Sequence, residues 1–280
     1  MRLLFESTAQ AVELRVSLGL LGAGCIALLG MRSQALTRSG ALATIAVGTL
    51  GFAFGGAPIA AALILFFASG SVLSRITRAA SQRARSHAQK QGRRDALQVF
   101  ANGAVATACA VIAGALALFW HGSLPWLAAA IGALAAASGD TWSTELGSLF
   151  GGTPRSIVSG KAVEAGTSGG VTPLGFVAAL AGGALVGLAG TLAGGITATR
   201  WVGLAAAAGL AGSALDSIAG ATLQGLWRCP RCGRLVEGAV HEGCQVRANL
   251  VRGWGWLDND GVNLIATVGG ALLAAVLART

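Results

Sequence analysis

Apolar residues run through this chain in long blocks separated by short polar stretches. A bilayer crossing needs about 20 largely apolar residues. Eight blocks meet or approach that length, at roughly 14–31, 39–55, 57–74, 96–119, 124–148, 170–196, 201–226 and 258–278. The second and third are short and meet at Gly55-Gly56-Ala57-Pro58, which leaves open two thin spans or one re-entrant pair. The pattern predicts an all-α polytopic membrane bundle of about eight spans. It forms one membrane domain over residues 1–280, with a polar insertion at 228–257 before the last span.

Composition agrees with the blocks. Charged residues make up 11% of the 280, under half the share of an ordinary soluble domain, and mean hydropathy is +0.68. A soluble enzyme, a disordered chain and a disulfide scaffold are excluded. The 43 glycines suit close helix packing in lipid. The net charge of +9 points to membrane sidedness and not to nucleic acid. Most Lys and Arg fall in four stretches between blocks: Arg32 and Arg38; Arg75, Arg78, Arg83, Arg85, Lys90, Arg93 and Arg94; Arg155 and Lys161; and Arg228, Arg231, Arg234, Arg247 and Arg252. Eight spans put all four on one side, which the positive-inside bias assigns to the cytoplasm. The protein is therefore expected in an inner or plasma membrane with its polar face in the cytoplasm. The first residues are near-neutral, with Arg2 and Arg15 against Glu6 and Glu13, so a cleaved signal peptide is not expected.

Ionisable residues inside spans are costly and mark function by default. Asp140, Glu145 and Asp216, with Asn102 and Asn263, all lie toward the basic ends of their blocks, and Asp258, Asn259 and Asp260 open the last one. Hydrogen bonds between helices would explain a lone asparagine but explain three carboxylates poorly. Clustered carboxylate and amide oxygens suit Mg²⁺, which is held by one or two carboxylates plus substrate phosphates. Two glycine-bearing loops lie at the same face: Gly151-Gly152-Thr153-Pro154-Arg155, and Gly166-Thr167-Ser168-Gly169-Gly170, which runs into a helix. A glycine-rich turn opening a helix presents N–H groups and a positive dipole end to phosphate. Lys161 and Arg94 are the neighbouring cations expected to assist.

The 228–257 insertion carries CxxC at Cys229 and Cys232, then HxxC at His241 and Cys244. Two close pairs of soft ligands match a closed structural Zn²⁺ site, with a redox CxxC or chance clustering as alternatives. Such a metal would brace the loop and take no part in catalysis. Cys25 and Cys109 lie in apolar blocks and read as packing residues.

In order, the polar stretches are Arg94-Asp95-Ala96-Leu97-Gln98-Val99-Phe100-Ala101-Asn102-Gly103, Ser138-Gly139-Asp140-Thr141-Trp142-Ser143-Thr144-Glu145-Leu146-Gly147, Lys161 with Gly166 to Val171, Asp216 to Gln224, and Asn259-Asp260-Gly261-Val262-Asn263. Together, over about residues 90–270, they resemble the integral-membrane family that includes phytyl-phosphate kinase and transmembrane protein 19. That resemblance implies phosphorylation of an isoprenoid monophosphate to the diphosphate, with CTP or another NTP as donor and Mg²⁺ as cofactor. From the residues themselves, Asp140, Glu145 and Asp216 are expected to converge on Mg²⁺ and the transferring group. Arg94, Asn102, Thr144, Lys161, Gly166 to Gly170, Asn259, Asp260 and Asn263 are expected to bind substrate. A lipid or small-anion transporter is the competing class, since glycine-rich spans and buried carboxylates suit it too. Its site would lie nearer the midplane.

Overall fold

A computed structural model describes residues 9–83, 92–119, 123–194 and 199–279; Arg2, Arg85 and Lys90 lie outside them. Among the described residues the chain is an all-α membrane bundle of seven helices. They are α1 (Ala9–Arg32), α2 (Arg38–Arg83), α3 (Ala96–Phe119), α4 (Leu124–Phe150), α5 (Pro173–Ala193), α6 (Thr199–Thr222) and α7 (Asn259–Leu277). Six of these are long and apolar enough to cross a membrane. The remaining one, α4, carries Ser138, Gly139, Asp140, Ser143 and Glu145 in its second half.

One of the six, α2, doubles back on itself. Gly56 has φ +65° and ψ −161°, a conformation open to glycine, and Pro58 follows within the same element. Proline has no N–H to return to the Phe54 carbonyl, which lies against Gly114 of α3. A Cβ at Gly51 would stand 2.8 Å from Leu63 Cδ1, yet a straight helix separates those residues by about 18 Å. Gly40 and Gly70 both abut Arg94, one at its carbonyl and one at its guanidinium. The two legs therefore begin and end at one face. Their turn lies at the other, beside Gly190 near the end of α5. The question left by the short second and third blocks resolves as two crossings.

The same contacts gather the basic stretches on one face. Leu36 bridges Arg94, Arg75 donates to the Ser33 carbonyl at 2.9 Å, and Gly169 packs on Ser217 and Ala221. Arg155–Ser156 (β1) pairs antiparallel with Gly170–Val171 (β2) beside the end of α4. The polar insertion follows α6 as a lobe of short strands: β3 (Leu226–Arg228), β4 (Leu235–Val236), β5 (Val240–His241), β6 (Val246–Arg247) and β7 (Asn249–Arg252). They form a β4-β3-β7 sheet and a β5-β6 hairpin.

Two predicted block ends shift. The 170–196 block starts its helix at Pro173, because Gly170 and Val171 pair in β2 and the Thr172 hydroxyl caps the helix by accepting from Gly175 N–H. The 201–226 block ends its helix at Thr222, since Gln224 bridges Trp254 and Leu226 enters β3. Asp216 thus lies about two turns from the basic end of α6, shallower than the block edge implied.

Helix α4 is the hub. It packs on α2, α3, α5, α6 and α7, and every residue from Ala128 to Gly139 is buried. Small residues let backbones meet: a Cβ at Gly139 would stand 2.5 Å from the Gly209 carbonyl oxygen of α6. In lipid such contact, and not apolar burial alone, is what holds helices together. The Ser138 hydroxyl adds a 3.0 Å bond to the Gly182 carbonyl of α5. These contacts lie one helical turn or less from Asp140, so close backbone packing fixes the position of the polar layer.

Candidate functional site

A single cavity of about 2500 Å³ occupies the basic face, between α2, α3, α4, α6, α7, the glycine loop and the lobe. It holds Asp140, Glu145, Glu164, Asp216, Glu237, Glu242, Asp258 and Asp260, which is most of the chain's 11 acidic residues. Of the 20 Lys and Arg it takes Arg78, Arg94 and Arg234. The chamber is thus acidic inside a protein of net charge +9. Carboxylates concentrated at low dielectric must recruit cations or protons. An apolar arm continues from the chamber between α1 and α2, lined by Leu18, Gly22, Ile26, Phe52, Leu63 and Ile64. Leu18 and Ile64, each 49% exposed, leave apolar surface accessible along this arm.

Two carboxyls meet at the centre. Asp140 of α4 and Asp216 of α6 lie close enough for their carboxyls to interact directly, and two bare carboxylates cannot stay so close without a shared proton or a cation. Asp216 Oδ1 is buried and has no hydrogen-bond partner, and Glu145 Oε2 is likewise buried and unpaired. Orphaned, desolvated carboxylate oxygens fit a hard divalent cation, so the donor set suits Mg²⁺.

Glu145 stands apart from that pair. Five residues along α4 from Asp140, it points about 140° further round the helix. There it takes the Ser74 hydroxyl of α2 and faces the Arg94 guanidinium. Arg94 in turn lies over the rings of Phe66 and Phe67, at 5.8 and 5.6 Å to their centroids. The expected three-carboxylate convergence is therefore an Asp140–Asp216 pair, with Glu145 on a second wall of the same chamber.

The remaining expected substrate residues divide. Asn102, Thr144, Gly166, Thr167, Ser168, Gly169, Gly170, Asn259, Asp260 and Asn263 all line the cavity. Asn102 donates to the Gln98 carbonyl at 2.9 Å, and Asp258 caps α7 by accepting from Gly261 N–H at 3.0 Å. Lys161 is exposed and is not among the lining residues. In the glycine loop, Thr167 and Gly170 N–H groups bond within the loop itself, to Glu164 and Thr167 carbonyls. Gly166 and Gly169 have φ of +87° and +82°. A Cβ at Gly169 would meet the Ser217 carbonyl oxygen at 2.7 Å, so the loop lies directly on α6 beside Asp216. Sequence reasoning did not assign Ser74, Arg78, Arg234 or Glu237 to the site. Arg78 belongs to a recognised basic stretch, but Glu237 sits in the lobe with no motif around it.

Cys229, Cys232, His241 and Cys244 offer four ligand atoms that all lie within 4.8 Å of one another. Among the described residues this is the cluster that gathers three or more His, Cys, Asp or Glu ligand atoms this closely. Gly233, at φ +73°, turns the chain after Cys232, and its N–H donates to the Cys229 carbonyl at 2.9 Å. Burial pushes the Cys229 thiol up, but hydrogen bonds from the Cys232 and Arg231 backbone and from His241 outweigh it and bring it to about 6. Cys244 is pushed up to about 11 by burial and by its two cysteine neighbours. The cluster thus offers one ready thiolate and resists further ones until a cation balances them. His241 and Gly233 to Glu237 also line the chamber, so the metal group forms part of its wall.

The family model for Integral membrane protein DUF92 matches residues 21–271. Protein PGR of Arabidopsis thaliana is 32% identical over 283 residues, covering 94% of this chain and 96% of that protein. Uncharacterized membrane protein MJ0933 of Methanocaldococcus jannaschii is 29% identical over 253 residues, covering 90% of each. No solved structure matches the chain.

Proposed function

The chain belongs to the DUF92 integral membrane family, as the polar stretches led one to expect, and on that premise we propose that it is a membrane phosphotransferase. It would convert an isoprenoid monophosphate, such as a phytyl or prenyl phosphate, to the diphosphate with CTP or another NTP. The observation that carries this reading is one cavity joining an acidic, cation-seeking chamber to an apolar arm between α1 and α2. A substrate with a phosphate head and a long apolar tail matches both parts.

The reaction makes modest demands on the protein. An oxygen of the acceptor monophosphate attacks the terminal phosphorus of the NTP, the bridging bond to the next phosphate breaks, and the nucleoside diphosphate leaves. That acceptor oxygen is already anionic near neutral pH, so no general base is needed. Positioning and charge neutralisation are the chief requirements. Mg²⁺, held by Asp140 and Asp216, would supply the charge neutralisation. Arg94, fixed by Glu145 and the two phenylalanine rings, places a guanidinium where a phosphate can be gripped. Arg78 and Arg234 supply further positive charge on the walls. Asn102 and Asn263 offer amides to orient the acceptor, and the Gly166–Gly170 loop closes the side next to Asp216. The Cys229/Cys232/His241/Cys244 group would hold structural Zn²⁺. With the basic stretches in the cytoplasm, the chamber draws its nucleotide from there.

A transporter of lipids or small anions needs a path to the opposite face. The arm of the cavity that runs toward that face is lined by Leu18, Phe52, Leu63 and Ile64, which suits an apolar tail better than the passage of an anion. The test is purified protein in detergent, offered a series of prenyl monophosphates and the four NTPs with Mg²⁺. Mass spectrometry should find prenyl diphosphate and nucleoside diphosphate in equal amounts. Intact substrates in every combination would defeat the proposal.

A further inference from the structure

The lobe contributes a carboxylate that neither the motif pattern nor the family resemblance singles out. Glu237 follows β4 and sits between the Cys229–Cys232 pair and His241 in sequence. It lines the chamber, accepts a hydrogen bond from the Ser168 hydroxyl of the glycine loop, and sets its negative charge against Asp216. Its strand pairs with β3, and Cys229 N–H, next along the chain from β3, donates to the Arg234 carbonyl at 2.9 Å. The Cys3His group therefore fixes the backbone that carries Glu237. Opposite it, Asp216 Oδ1 is buried with no hydrogen-bond partner. Two carboxylates facing each other across a polar cavity, one with an orphaned oxygen, repel unless a cation lies between them. A merely solvated rim glutamate would have no reason to be held there by Ser168.

We infer that Glu237 is a cation-binding residue of the chamber, delivered by the metal-braced lobe and opposed to Asp216. This deepens the phosphotransferase reading and rests on it for the role of the cation, but the binding itself can be measured without any substrate. The lobe then does more than cap the bundle. Its own metal fixes Glu237, Glu237 anchors Ser168, and Ser168 sets the glycine loop against α6. Loss of the lobe metal should loosen the cation site some distance away, although none of the four lobe ligands would touch that cation.

The experiment is a Mn²⁺ titration of the full-length protein in detergent, followed by electron paramagnetic resonance, with zinc content measured in parallel. Glu237→Gln should weaken Mn²⁺ binding by about 10-fold or more while leaving one zinc per chain. Glu237→Asp keeps the charge and should recover part of the loss. Cys244→Ser should lose the zinc and weaken Mn²⁺ to a similar degree. Wild-type Mn²⁺ affinity in Glu237→Gln would overturn the assignment. Zinc loss in Cys244→Ser with unchanged Mn²⁺ binding would overturn the coupling. If Glu237→Gln itself loses zinc, Ser168→Ala decides, since it frees Glu237 without altering the lobe: weaker Mn²⁺ binding supports the chain of contacts, and unchanged binding refutes it. Failure of the phosphotransferase reading would appear separately, as tight Mn²⁺ binding sensitive to Glu237 with no diphosphate product.

Discussion

Asp216→Asn separates the cation account of the chamber from a purely structural one. In the wild type the Asp216 carboxyl lies against that of Asp140 while its Oδ1 is buried and unpaired. The substitution keeps the volume, removes one of two facing acids, and gives Asp140 an amide donor. A hydrogen bond to a charged group is worth about 1.5–3 kcal/mol, and breaking up a like-charge pair removes a repulsion. The variant without divalent cation should therefore be as stable as the wild type or up to about 3 kcal/mol more stable. Added Mg²⁺ should shift the balance toward the wild type. At ten times its dissociation constant, a cation bound only by the folded state adds about 1.4 kcal/mol to the wild type and little to the variant. Turnover should fall by about 10² to 10³, equivalent to about 3–4 kcal/mol of transition-state stabilisation. The assays are thermal unfolding in detergent with and without Mg²⁺, and NTP-dependent product formation. A variant clearly less stable than the wild type without Mg²⁺, yet still stabilised by it, would show that the pair is structural and refute the reasoning.

Gly209→Ala should cost about 1–3 kcal/mol, because its Cβ would meet Ala179 O, Gly183 Cα and Ala135 O, all backbone, at 2.8 to 3.1 Å; Gly203→Ala on the same helix, with no described atom within 4 Å, should be neutral or slightly stabilising, and equal melting of the two would contradict the packing account. Ser74→Ala strips Glu145 of its hydroxyl partner, leaving a buried carboxylate short of donors, and should lower the melting point by an amount equivalent to about 1–3 kcal/mol. For the lobe, metal must displace the proton from Cys244, pushed up to about 11, whereas Cys229, at about 6, is already ionised at pH 7. Chelator competition should therefore show metal affinity rising with pH from 6 to 8, and falling more steeply below about 6 as Cys229 takes up its proton; a pH-independent affinity would exclude thiolate ligation. Single cysteines at Gly56 and Ser123 should label from the face opposite to those at Arg93 and Arg234, and labelling of Gly56 with Arg93 would remove the second crossing of α2.

Much of this was legible along the chain, for identifiable reasons. Span positions follow from apolar block length, and the basic face follows from where Lys and Arg fall. Asp140, Asp216, Asn102 and Asn263 stood out because a polar residue inside an apolar block has few bland explanations. The turn at Gly56 was visible as a Gly-Gly-Ala-Pro break, but which way the chain leaves it depends on Phe54, Gly114 and Gly190, contacts no local pattern encodes. The ends of α5 and α6 were misjudged because apolar residues continue into strands β2 and β3, where hydropathy is the same and only the pairing differs. Glu145 was placed with Asp140 by depth alone. Helical phase turns it toward Ser74 and Arg94 instead. Lys161 was grouped with the glycine loop by proximity in sequence, yet the β1–β2 turn leaves it exposed. Glu237 carried no signal, because its importance comes from where the cysteine cluster folds the lobe.

The central claim is transfer of a phosphoryl group between two substrates within one chamber, and a labelled terminal phosphate follows that transfer directly. Purified protein should be mixed with prenyl monophosphate, Mg²⁺ and NTP carrying the label at its terminal phosphorus, under single-turnover conditions. Label should appear in prenyl diphosphate at the rate the nucleoside diphosphate forms, and Asp140→Asn should abolish both. Label released solely as inorganic phosphate, or transfer persisting at the wild-type rate in Asp140→Asn, would contradict the account.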